Sequence, residues 1–193
     1  MNYIPEGYKL TSEYSREKGH HGGCAIIVKE EFHYSERIDF KTFSDFGSIE
    51  CCATLVTVSS EKKLLIICVY RPTTRPLSKI EVFFEKFNGI LDQCLMENIP
   101  FIIAGDFNVN ILSSTDETNI FLSILETYNL TVTNREPTRI TPHSATCLDN
   151  VISNLEGTTT VQEEHMADHS GLKFIFQNGP LPLESVVKKK EDH

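Results

Sequence analysis

At 193 residues the chain is long enough for one domain with a full core and too short for two comfortable ones. Hydrophobic residues make up 40% and charged residues 23%, which excludes disorder as the default, and the longest apolar runs, Leu64 to Tyr70 and Pro100 to Ala104, are far short of a membrane span. The formal net charge of -9, with no basic stripe, excludes strong unaided binding to nucleic acid, because phosphate neutralisation supplies most of that affinity.

The start, Met1 to Glu6, has neither a basic leader nor an apolar core, so the chain reads as soluble and intracellular, nuclear or cytoplasmic, and not secreted. His20-His21 beside Gly22-Gly23 reads as a solvated turn. Gly22-Gly23 then leads into a strand from Cys24 to Lys29. The segment from Ile49 to Val58 is rich in β-branched residues, and Lys63 to Tyr70 is a second such run ended by Pro72. With the turn-like spacer 59–62 between them, they predict an antiparallel hairpin. Ser78-x-x-Glu81 reads as a capping box ahead of Ile80, Phe83, Phe84, Phe87, Ile90, Leu91, Cys94 and Leu95 at helical spacing, ending near Asn98. The apolar run Phe101 to Ala104 predicts a buried strand that delivers Gly105-Asp106-Phe107-Asn108 to a sheet edge.

Ser114-x-x-Glu117 reads as a second capping box, before an apolar stripe of Ile120, Phe121, Ile124, Leu125 and Tyr128 with Asn129 as the stop. Both aromatic stripes are core faces. Short strands are expected around Leu130 to Thr133, Leu148 to Ser153 and Leu172 to Phe176, and the Lys188-Lys189-Lys190 triplet belongs to a solvated tail. Strands at both ends with helices between them indicate a layered α/β domain. The six cysteines form no C-x-x-C pair and mostly lie in apolar runs, so they read as free, buried thiols.

Polar residues concentrate at five strand ends: Tyr70-Arg71, Asp106/Asn108, Pro137-Thr138-Arg139, Thr146-x-x-Asp149 and Asp168-His169. Each has a plain structural reading, as a strand end, a surface loop or a turn cap. Together they meet the demands of phosphodiester hydrolysis, which needs an oriented water, a cation on the phosphoryl oxygens and a donor for developing charge. Asp106 can align water or take its proton, with Asn108 holding the geometry. Asp168 can serve Mg²⁺ as a hard oxygen ligand. His169 can donate to a phosphate oxygen while Asp149 fixes its tautomer, and Tyr70 and Arg71 are further donors.

These segments, with Gly22 to Val28, occur in an order that resembles the endonuclease/exonuclease/phosphatase superfamily. Within it they resemble the apurinic-like endonuclease domain of non-LTR retrotransposons. The resemblance covers roughly Tyr8 to Phe176. It implies a four-layered α/β sandwich of two packed mixed sheets flanked by helices, spanning 1–178, followed by a polar tail, 179–193. It also implies Mg²⁺- or Mn²⁺-dependent cleavage of DNA, with Asp106, Asn108, His169, Asp149 and Tyr70 catalytic and Asp168 on the metal. Arg71, Thr138, Arg139 and Thr146 are then substrate contacts, and no membrane is involved.

The opening residues resemble the stretch just after the family's metal-binding glutamate. The first strand, the first helix and that glutamate are therefore expected to be absent, and neither Glu6 nor Glu13 stands in its place. On the same reading, the reverse transcriptase domain of a parent element is expected to be absent. On this reading metal binding and turnover should be impaired and DNA binding weak. The competing expectations are an inactive remnant kept as an interaction module, and a phosphatase or RNA deadenylase on the same fold.

Overall fold

The computed structural model describes residues 4–16, 22–59, 62–73, 76–162 and 168–176. His20 and His21, the centre of the 59–62 spacer, Ala167, the lysine triplet and the 179–193 tail lie outside the described residues.

In chain order the elements are β1 (Tyr8–Tyr14), β2 (Cys24–Lys29), β3 (His33–Glu36), a 3-10 helix (Ile38–Phe43), β4 (Glu50–Thr57), β5 (Lys63–Tyr70), α1 (Leu77–Glu97), β6 (Phe101–Asp106), α2 (Asp116–Thr127), β7 (Arg139–Thr141), β8 (Ser144–Thr146), β9 (Asp149–Ser153), β10 (Gly157–Gln162) and β11 (Gly171–Phe176). A five-stranded mixed sheet, ordered β3-β4-β5-β6-β9, is the frame. Its β4–β5 pair is the expected antiparallel hairpin. The β5–β6 pair is parallel, so a crossover is obligatory, and α1 supplies it.

One face of the sheet carries the helices. Phe83, Phe87, Ile90 and Leu91 of α1 and Phe121 and Leu125 of α2 pack on Cys51, Ala53, Leu65, Ile67, Val69 and Ile103. Phe87, Phe107 and Phe121 meet with ring centroids 5.3–5.7 Å apart. Both aromatic stripes are thus core. The opposite face holds a second core, in which Cys24, Ile26 and Val28 of β2 pack on Cys52 and Val56, with Ile66 and Cys68 partly buried against them. The antiparallel β1–β2 pair lies across this face, tied to it by Thr11 Oγ1 and Thr54 Oγ1 at 2.9 Å. All six cysteines are free thiols, as expected, five buried and Cys68 half-buried. Antiparallel pairs β7–β8 and β10–β11 complete the elements.

Four local expectations are corrected. The first helix starts at Leu77 with Pro76 as its N-cap and no side-chain capping bond, so Ser78 lies inside the first turn rather than ahead of it. The second is capped by Thr115, whose hydroxyl accepts from Thr118 N, and not by Ser114. Ile120 of the expected stripe is 47% exposed. Leu130 to Thr133 forms no strand, only the single bridge Val132–Ile152. The helix ends agree with expectation: Asn98 and Asn129 are left-handed, with φ of 51° and 55°.

Candidate active site

Backbone register assembles the site. Glu50 pairs with Tyr70 across β4–β5, Tyr70 with Asp106 across β5–β6, and Asp106 with Asp149 across β6–β9. Directly paired residues point to the same face, so these four side chains form one row across four strands. The row lies two residues beyond Cys52 and Cys68, on the face that carries β1 and β2. The buried apolar bodies of β5 and β6 fix this register, because a slip of one residue would turn their core to the wrong side.

Gly105 makes the pairing possible. Its φ is +156°, and a Cβ there would lie 1.8 Å from the Val69 carbonyl oxygen. The glycine ahead of Asp106 therefore serves close approach of β5 backbone.

Asn108 fixes the Asp106 carboxylate. Its backbone N–H donates to Oδ1 at 2.9 Å and its side-chain amide donates to Oδ2 at 3.1 Å. The same amide donates to the Arg71 carbonyl at 2.6 Å. Burial first, and then the neighbouring Asp149 charge, push the Asp106 carboxyl up to about 6. His169 stands beyond Asp149, with its Nδ1 2.8 Å from Asp149 Oδ2. That contact leaves Nε2 as the ring's remaining donor or acceptor. Burial, followed by the Asp106 charge, holds the Tyr70 hydroxyl above its ordinary range.

Ligand atoms of Asp106, Asp149 and His169 all lie within 4.8 Å of one another. Two half-buried carboxylates at this spacing repel, which is the situation a hard divalent cation relieves, and their oxygens suit Mg²⁺ or Mn²⁺. The donor set fits such an ion.

The remaining expected residues are placed differently. Asp168, the expected metal ligand, is outside this cluster: its side chain is 64% exposed and its Oδ2 is 2.9 Å from Arg139 Nε. The Arg139 guanidinium holds the Asp168 carboxyl below its usual range. Arg71 is buried on the helix face, ion-paired with Glu117 and stacked 4.7 Å from the Phe83 ring, so its guanidinium is turned away from the row. Thr138 is fully buried, and its hydroxyl accepts from Leu148 N at 3.0 Å and Asp149 N at 3.1 Å. It brackets the backbone of Asp149. Thr138 also receives Ser170 N on its carbonyl at 2.7 Å, while Thr146 closes the β7–β8 pair by accepting Thr138 N at 2.9 Å. These threonines hold Asp149 and His169 in place. Glu6 and Glu13 are exposed and outside the cluster.

Sequence reasoning missed Glu50 and Arg16. Glu50 is 1% exposed, and its carboxylate takes both the Arg16 guanidinium and the Gly23 N–H. The available signal was an acid inside an apolar strand, which a buried position tolerates only with partners.

A sequence profile of the family described as endonuclease–reverse transcriptase matches residues 64–173, more than half of the chain. The chain belongs to that family. Its fold is shared by the endonuclease domain of TRAS1, a telomere-specific non-LTR retrotransposon, with a TM-score of 0.68 at 14% identity, covering 89% of this chain and 79% of that one. It is shared also by the APE2 catalytic domain of Xenopus laevis, with a TM-score of 0.63 at 17% identity over 92% of this chain and 80% of that one. A 3'-5' exonuclease of Neisseria meningitidis follows at a TM-score of 0.60 and 15% identity, covering 88% of this chain and 80% of that one. No curated protein matches the chain. The sheets and helices described above are therefore those of the endonuclease/exonuclease/phosphatase fold, as expected. Among the described residues no helix is long and apolar enough to cross a membrane.

Proposed function

We propose that the chain hydrolyses phosphodiester bonds in DNA with the help of a divalent cation, as an endonuclease of retroelement type. The observation that carries this reading is the row Tyr70–Asp106–Asp149 closed by His169 at 2.8 Å from Asp149. Asp106, its carboxylate fixed by Asn108, orients the attacking water and can accept its proton, since a carboxyl titrating near 6 is ionised at neutral pH. His169, held by Asp149, donates to a non-bridging phosphate oxygen as charge develops there, and the Tyr70 hydroxyl is a second donor. Asp106 and Asp149 would hold the cation, which when bound supplies Lewis-acid stabilisation of the phosphoryl oxygens.

Nicking of supercoiled plasmid in Mg²⁺ or Mn²⁺ tests this. Asp106→Ala and His169→Ala should each lower the rate by about 100-fold or more, the range expected for loss of a positioned acid or base. Wild-type protein without metal-dependent nicking, or variants as active as wild type, would sink the reading. A second reading, the fold kept for binding without catalysis, is favoured by Asp168, which is exposed and engaged by Arg139. It predicts no specific Mn²⁺ binding by calorimetry, whereas the nuclease reading predicts binding lost in Asp149→Ala.

A further inference from the structure

Beside the row, on the Tyr70 side, the structure displays an aromatic ring for which the protein interior has no use. Phe46 is 68% exposed, although the loop that carries it is tightly held. Asp45 N donates to Ile49 O at 2.8 Å, Ser48 N to Asp45 O at 3.0 Å, and Ser48 Oγ to Asp45 Oδ1 at 2.6 Å. Lys79 of α1 reaches across to Asp45 Oδ1 at 2.8 Å and to the Phe46 carbonyl at 2.7 Å. The backbone is pinned while the phenyl ring faces solvent. A lone exposed apolar side chain is ordinary, so the ring by itself decides nothing.

What distinguishes Phe46 is its connection to the site. The Arg16 guanidinium carbon is 6.0 Å from the Phe46 ring centroid and 6.0 Å from that of Tyr70. Arg16 is held there by Glu50, itself buried in the row. One cation thus bridges the exposed ring and a phosphate-side donor, and a buried carboxylate keeps it from swinging away. The result is a fixed, flat-faced edge whose guanidinium is balanced by a buried carboxylate, on a chain of formal charge -9.

Resting on the nuclease reading, we infer that Phe46 is a stacking platform for a nucleobase flanking the cleaved phosphodiester, with Arg16 joining the platform to Tyr70. Every base presents a π-face, so such a platform grips a strand without choosing its sequence. It also supplies contact energy that this acidic chain does not obtain from phosphates alone.

The chain contains no tryptophan, so Phe46→Trp introduces a single fluorophore at the platform. Titration with a single-stranded deoxyoligonucleotide in EDTA, where nothing is cut, should quench it saturably. A Met96→Trp control, 81% exposed in the wild type and near the C-terminal end of α1, should stay unquenched. An oligonucleotide of abasic sugar-phosphate should quench neither. Phe46→Ala should weaken oligonucleotide binding by about 5- to 100-fold, the loss of one stacked base. Equal quenching by the abasic strand, or unchanged binding in Phe46→Ala, would overturn the platform and leave the nuclease reading intact if the wild type still nicks plasmid. Base-dependent quenching with no nicking under any metal would keep the platform and remove the nuclease.

Discussion

Asp106 lies where two demands conflict. Its carboxylate must be ionised to work on water, yet burial and the Asp149 charge favour its protonated form, with the pKa raised from 3.8 to about 6. A carboxyl whose folded pKa is raised contributes stability that is complete below its unfolded value and is lost as pH rises through the folded one. The metal-free protein should therefore lose stability between pH 4 and pH 7 from this group, by at most about 3 kcal/mol. Asp106→Asn should flatten that slope in urea titrations run in EDTA, whatever its effect on absolute stability. Equal slopes for the two proteins would mean that Asp106 does not titrate as its surroundings dictate. Saturating Mg²⁺ or Mn²⁺ should offset the loss at pH 7, because a cation takes the proton's place between the two carboxylates. Next to it, Gly105→Ala would place a methyl group against the Val69 carbonyl. The strain alone should cost about 1–3 kcal/mol, and nicking should fall further than stability, since the displaced strands are those that present Tyr70 and Asp106.

At the scale of elements, the helix starts show where one-dimensional motifs mislead. Two S-x-x-E boxes predict N-caps at Ser78 and Ser114, but Pro76 and Thr115 occupy those positions. Thr115→Ala should cost about 1 kcal/mol in urea unfolding, whereas Ser114→Ala should stay within about 0.5 kcal/mol. Most of the elements legible in the sequence have a buried face: β2, β4, β5, β6, both helices and β9; β11 was readable from its apolar residues although none of them is fully buried. Those that escaped notice lack a buried face. β3 is exposed along all four residues, β10 is a threonine run with no buried position, and β7 and β8 have three residues each. β1 was also missed, because its buried pair Thr11 and Ser12 is polar and is satisfied by hydrogen bonds that no hydropathy pattern displays. The site divides in the same way. Asp106, Asn108, Asp149, His169 and Tyr70 were readable from strand-end polarity and converge as expected. Arg71 lies apart from them, because alternation along the strand turns it to the helix side, where it pairs with Glu117. Glu50 and Arg16 escaped because their importance lies in a contact between residues 34 positions apart.

Across the whole molecule, charge sets how nucleic acid can be held. With a formal charge of -9 and few cations near the row, the binding constant should fall only gently with salt, with a log–log slope no steeper than about -3. Oligonucleotide titrations between low and moderate ionic strength would measure it. A slope as steep as that of a basic-groove protein would reveal a cationic surface that the described residues do not contain.

The row of side chains across β4, β5, β6 and β9 also makes cleavage a faithful gauge of folding. No two of its members share a strand, so an intermediate with even one strand unzipped keeps helices and apolar contacts but has no working centre. Residual nicking measured along a urea gradient should then follow the cooperative loss of the central sheet and disappear ahead of any helical signal that outlasts it.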